Sequence, residues 1–249
     1  MRARTLAFVL LAVLGAAVFV RLGVWQVSRL HERQARNATI RARLLAPAAS
    51  IDSLAGPPDS LRYRRARIAG RPDYDAEALL VQRTHDGSPG VFLLTPVHTT
   101  AGDSATLVVR GWVYAPDGLT IDRSRWREGD SLTVEGYLDE LPAAGANVAV
   151  TGHPEAFRRL DRDALARRAG VPLRKMYLWA TGPAPVRTGA EGAARFTLPE
   201  LDDGPHRSYA IQWFAFAVIA LVGAGIIVRN DRRTGREGER EGGSTPARS

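Results

Sequence analysis

Two apolar blocks break an otherwise mixed pattern of hydrophobic and polar positions: Leu6–Val20 and Tyr209–Val228. The second is a run without charge, and a helix of about 20 residues crosses a hydrocarbon core of roughly 30 Å. The first reaches a charge at Arg21 and continues as Leu22-Gly23-Val24-Trp25-Gln26-Val27. A helix over residues 5–27 would span, with Arg21 reaching to the headgroups and Trp25 in the interfacial belt. A cleaved signal peptide is the rival reading, with "MRAR" as its basic start and Gly15-Ala16-Ala17 as its cleavage site. The Trp25 position favours a retained helix.

Between the blocks the period changes. Residues 28–45 are charged and extend the first helix outward, and Pro47 with Gly56-Pro57-Pro58 marks a loop. Short β-like runs follow, separated by turn residues: "RYRRARIAG", "ALLVQRT", "GVFLLTPV", "SATLVVRGWVY", "SLTVEGYL" and "RKMYLWAT". In the first, Arg64, Ala66 and Ile68 share one face, and Tyr63, Arg65, Arg67 and Ala69 the other. One helix interrupts them, with Asp161 as N-cap, Leu165 facing inward and Gly170 as the stop. Residues 181–205 carry little periodicity and read as a connection back to the membrane.

The pattern therefore predicts an α+β chain: two transmembrane helices, at 5–27 and 209–228, flanking an antiparallel β-rich domain at 28–205. That domain is barrel- or sandwich-like, with minor helices. Residues 229–249 are polar and Gly-rich and read as a disordered tail. Arg229, Arg232, Arg233 and Arg236 follow the second span directly, which predicts a cytoplasmic C-terminus. Two spans then place the N-terminus in the cytoplasm too, and the β domain outside it. Arg29, Arg33 and Arg36 argue the other way, but long domains translocate largely regardless of charge.

Composition narrows the function. The net charge of +8 is almost all arginine, lysine occurring only at Lys175. No basic run interleaves with aromatics as a stacking platform would, so nucleic acid is not an expected partner. Cysteine is absent, which excludes disulfides and thiolate metal sites. His31, His85, His98, His153 and His206 show no zinc spacing, and there is no phosphate loop or nucleophile elbow. "THDG" and "TGHPE" read as turns. "VVRGWVY" reads as a buried strand, with Trp112 in the core and Arg110-Gly111 at a bulge or close approach. An enzyme is not expected.

The remaining oddity is at the membrane edge, where each span carries a Trp beside a Gln: Trp25-Gln26 and Gln212-Trp213. At helical spacing His206, Tyr209 and Trp213 share a face, as do Arg21, Trp25 and Arg29. Faces that met would form the edge of a pocket with an imidazole, aromatic rings and guanidinium groups. Such groups can hold a haem through iron, macrocycle and propionates. The residues alone leave His206 open between that role and a solvated polar residue, the commoner outcome.

Several stretches, in order, resemble the Surfeit-1 (SURF1/Shy1) family of cytochrome c oxidase assembly proteins. They are "RLGVWQVSR", "YRRARIAGRPDYDAEALLVQRTHDGSPGVFLLTPV", "LVVRGWVYAPD" and "HRSYAIQWFAFA". The chain departs from the family's pattern at Asp203-Gly204-Pro205, where Asn is common, and at Arg33, where Lys is common. The resemblance implies a bacterial inner-membrane assembly factor for a haem–copper oxidase that holds haem a and passes it to the catalytic subunit. It implies His206 as iron ligand. The expected site is then His206, Tyr209, Gln212, Trp213, Trp25, Gln26 and Arg29. Expected partners are the oxidase catalytic subunit, the haem a synthesis machinery and membrane lipid, and a homo-oligomer is compatible with this. The alternative is a membrane-anchored scaffold that docks oxidase subunits without haem.

Overall fold

No proline falls between Ala3 and Leu45, and helix α1 (Ala3–Leu45) runs that whole length before Pro47. The computed structural model describes residues 3–143, 145, 149–183 and 192–242, the last eight of these by backbone alone. The chain divides into two units, one of Met1–Thr39 and Leu201–Ser249, the other of Ile40–Glu200.

The first unit is an antiparallel pair, α1 against the C-terminal helix α4 (His206–Gly242). The helix continues past Val228, where the apolar block ends, to Gly242. The part of the expected tail at 243–249 lies outside the described residues. Small residues line the seam. Ala16, Gly23 and Asn37 are buried on α1 at multiples of seven, and Ala210, Ala217 and Ala224 on α4 likewise. Small side chains leave room for a neighbour, and at Gly23 the neighbour is an aromatic ring. A Cβ there would sit 2.6 Å from the Phe214 ring. Above it Phe19 stacks on Trp213 at 5.8 Å and meets Phe216 at the same distance. The opposite faces are apolar and bare: Leu11 is 69% and Ile219 66% exposed. Both helices are long and apolar enough to cross a membrane, and their apolar stretches are only 11% buried. Gly15-Ala16-Ala17, the cleavage site of the rival signal-peptide reading, lie inside α1.

The second unit is one mixed nine-stranded sheet. Its strands are β1 (Ala49–Ser50), β2 (Arg65–Pro72), β3 (Ala78–His85), β4 (Ser88–His98), β5 (Thr106–Tyr114), β6 (Leu132–Glu140), β7 (Ala149–Val150), β8 (His153–Phe157) and β9 (Met176–Ala180). Short helices α2 (Pro58–Leu61) and α3 (Arg162–Ala169) complete it. Each of the six runs read as strands is a strand. β2, β6, β9, β5 and β4 form a ring, closed by the pairs Arg71↔His98 and Pro72↔Val97. In chain order these strands are arranged 1-2-3-5-4, the Greek-key connectivity of an OB-type barrel. The ring encloses Ala66, Ile68, Val97, Val108, Leu132, Val134, Leu138 and Leu178.

Three features differ from the pattern-based expectation. First, the sheet is not wholly antiparallel: β1–β2, β3–β8 and β5–β9 run parallel. The intervening connections are long enough for parallel pairing. Second, β8 was hidden because Thr151-Gly152 and Pro154 read as a turn. Pro154 is tolerated because it sits at a register shift between β7 and β8. Third, Trp112 is half-buried rather than in the core, and its Nε1 donates to the Arg83 carbonyl at 3.1 Å. Helix α3 forms as its caps predict. Asp161 Oδ1 accepts from the Ala164 amide at 2.9 Å, Leu165 is buried and Gly170 ends the helix at φ +67°. Burial would raise the Asp161 pKa, but the bonds from the Ala164 and Gly145 amides outweigh it and hold it below the usual range.

Arg110 is the bulge residue of β5: Leu93 pairs with Gly111 and Leu94 with Val109, leaving Arg110 unmatched. Its side chain is fully buried, and each of its three nitrogens has a partner. It donates to Glu77 at 2.5 Å, Glu128 at 2.8 Å, Thr95 Oγ1 at 2.7 Å and the Trp126 carbonyl at 2.7 Å. Arg195 also reaches Glu128 and the Arg110 carbonyl, tying the segment before Phe196 to the barrel. Burial disfavours both guanidinium charges. Two carboxylates reverse this for Arg110, whose pKa is raised. Arg195 shares one carboxylate and faces Arg110, and its pKa is lowered.

Removing one partner of a buried ion pair strands the other, at about 3–5 kcal/mol. Arg110→Met should therefore lower the denaturant stability of the β unit by about that amount. Arg67→Met, at an exposed pair with Glu135, should cost less than about 1 kcal/mol.

Candidate functional site

The turn into α4 is built from polar groups. Asn37 of α1 is only 6% exposed, and its Nδ2 donates to Asp203 Oδ1 at 2.9 Å and to the Asp202 carbonyl at 3.1 Å. Gln34 Nε2 donates to the other Asp203 oxygen at 3.2 Å. Asp202 Oδ1 in turn accepts from the Gly204 amide at 2.9 Å. Gly204 turns the chain at φ +73°, and the Pro205 carbonyl accepts from the Tyr209 amide at 3.1 Å to start the helix. Asp203-Gly204-Pro205, where the chain departs from its resemblance, is thus the strap that places His206.

His206 is half-buried, and its Nδ1 lies 2.8 Å from Gln26 Oε1. An amide oxygen has no proton to give, so Nδ1 is the donor, and in the neutral ring the lone pair is then on Nε2. Gly204 lies beside that edge of the ring: a Cβ there would stand 3.5 Å from Nε2. A cavity of about 270 Å³ adjoins His206, lined by Arg29, Glu32, Arg33 and Arg36. Glu32 pairs with Arg29 at 2.7 Å and offsets one of the three guanidinium charges.

The structure brings together three of the seven expected site residues: His206, Gln26 and Arg29. Trp213 turns to the helix seam, against Phe19 and Phe216. Trp25, Tyr209 and Gln212 are exposed on the helix surfaces. Reading by helical faces missed Asn37, Gln34, Arg33 and Arg36. A buried Asn in phase with Gly23 and Ala16 was the available signal. Among the described residues no group of three or more His, Asp or Glu could hold a metal ion.

The residues fit a haem in part. An imidazole oriented by a hydrogen bond at Nδ1 can ligate haem iron through Nε2. The arginines suit carboxylates. A cavity of 270 Å³ falls below the usual range of small-molecule pockets, so it would take the polar edge of such a group only.

Two helices long and apolar enough to cross a membrane, joined by an OB-type barrel, define a class: a β-barrel domain between two candidate membrane spans. The chain belongs to the SURF1 family, whose model matches residues 13–218. It is similar to an uncharacterized SURF1-like protein of Mycobacterium tuberculosis, 26% identical over 234 residues, covering 92% of this chain and 84% of that one. A SURF1-like protein of Rickettsia bellii is 34% identical over 222 residues, covering 82% and 84%. One of Rickettsia felis is 28% identical over 222 residues, covering 82% and 89%. Membership implies a role in cytochrome oxidase assembly, and the family is known for assembly factors rather than enzymes.

Each lost hydrogen bond of the strap contributes about 1 kcal/mol, so Asn37→Ala should loosen it by about 2 kcal/mol. Hydrogen exchange of the amides at 204–209 should speed up roughly tenfold or more, with β-unit amides unchanged.

Proposed function

We propose that the chain is a haem-holding assembly factor for a haem–copper oxidase, with His206 as the ligand of haem a. The observation that carries this reading is the Gln26–His206 hydrogen bond at a cavity that His206 lines together with three arginines. Bound haem would supply an iron centre for Nε2 and propionates for the arginines. Gln26 fixes the tautomer and ring angle, and the strap through Asn37 and Asp203 holds the helix end. The small cavity fits a carrier: a group held by one ligand and its polar edge is easily released.

The arginines after Val228 support a cytoplasmic C-terminus. Two spans then place both termini in the cytoplasm and the β unit outside it, in a bacterial inner membrane. The partners under this reading are the oxidase catalytic subunit and the enzymes that make haem a, and the chain itself catalyses no reaction.

Co-expression with a haem a pathway, purification and a visible spectrum test this. The wild type should carry haem a, and His206→Ala should retain less than about a tenth of it. Equal haem in the two proteins would remove His206 as ligand. No haem in either would favour the scaffold, in which the β unit docks an oxidase subunit.

A further inference from the structure

A second cavity lies in the β unit, far in sequence from His206, with a volume of about 460 Å³. That is within the range of small-molecule sites. Its lining includes Leu80, Phe92, Leu160 and Trp179, with Arg83 and Arg159. The aromatic side is rigid. Phe92 and Trp179 meet edge to face at 5.7 Å, and Phe196 packs on both, at 5.0 Å and 4.6 Å. Yet Phe92, Trp179 and Leu160 stay half-exposed at the cavity.

The cationic side is also built rather than incidental. Strand β3 carries a bulge between Leu80 and Arg83, with Gln82 in the left-handed region at φ +57°. A non-glycine residue there is uncommon, and bulges re-aim the side chains that follow. The next side chain is Arg83. Its Nη2 donates to the Arg158 carbonyl at 2.7 Å, while its Nε is buried without a partner. Parallel pairing of β3 with β8 at Leu80↔Phe157 brings the Arg158–Leu160 segment alongside. Among the described residues that line the cavity none is acidic, and none carries an imidazole.

The geometry points to a binding site for an anionic amphiphile, a molecule with an apolar body and one acidic group. The body lies on Phe92, Trp179 and Leu160, and the acid is met by Arg83 and Arg159. This site does not depend on haem at His206.

The test uses the full chain in nanodiscs of zwitterionic lipid, with protein-free discs subtracted. The probes are anilinonaphthalene sulfonate and its uncharged counterpart, phenylnaphthylamine. The wild type should bind the sulfonate saturably. Arg159→Glu, a change at an exposed residue that leaves the circular dichroism spectrum intact, should weaken it at least tenfold. The combination Arg83→Gln/Arg159→Gln should do the same, with the uncharged probe changed less than twofold. Leu160→Trp, which fills the cavity, should abolish both. No saturable sulfonate binding by the wild type, or equal binding by folded Arg159→Glu, would overturn the assignment.

Discussion

The helix pair depends on how closely two backbones can approach. In lipid, apolar side chains gain nothing by leaving the hydrocarbon, so association rests on packing and polar contacts. At Gly23 the Phe214 ring fills the space a side chain would take, and buried alanines at 16, 210, 217 and 224 extend the seam. The seam sets the height and rotation of α4 against α1. With those set, Gln26 meets His206, and Asn37 meets Asp202 and Asp203. A wider seam would leave the same residues on the same helices without their contacts. The chemistry at His206 is thus a consequence of small residues lower in the pair.

In the β unit the comparable constraint is a charge. Arg110 is buried by a bulge in the strand that is covered on both faces, and a guanidinium there must be fully bonded. Glu77, Glu128, Thr95 and the Trp126 carbonyl supply the bonds, from the residue before β3, from β4 and from the connection between β5 and β6. A network satisfied from several directions fixes the register of the strands that contribute to it. A second bulge, at Val81–Gln82, uses strain differently and leaves Arg83 with a buried donor beside an apolar cavity.

The periodicities in the sequence were enough for both long helices, for six strands and for α3 with its caps, because each has a local cause. What was hidden is non-local. Pro154 disguised β8, since its tolerance depends on a register shift with β7. Barrel closure depends on two residue pairs between β2 and β4. At the site, helical spacing put Arg29 on one face with Arg21 and Trp25, and His206 on another with Tyr209 and Trp213. That placement ignored the seam, which claims Trp213 for Phe19. Asn37 was legible as a polar residue and not as a strap, because its partners lie 165 residues and more away.

The central claim is that Gln26 holds His206 in the tautomer that presents Nε2. It can be read directly by nitrogen-15 NMR of histidine-labelled protein in lipid bilayers, with the His206 signals assigned by their loss in His206→Ala. The account predicts a protonated Nδ1 and an unprotonated Nε2 in the haem-free protein, with that preference lost in Gln26→Leu. A protonated Nε2 with a bare Nδ1 in the wild type would contradict it.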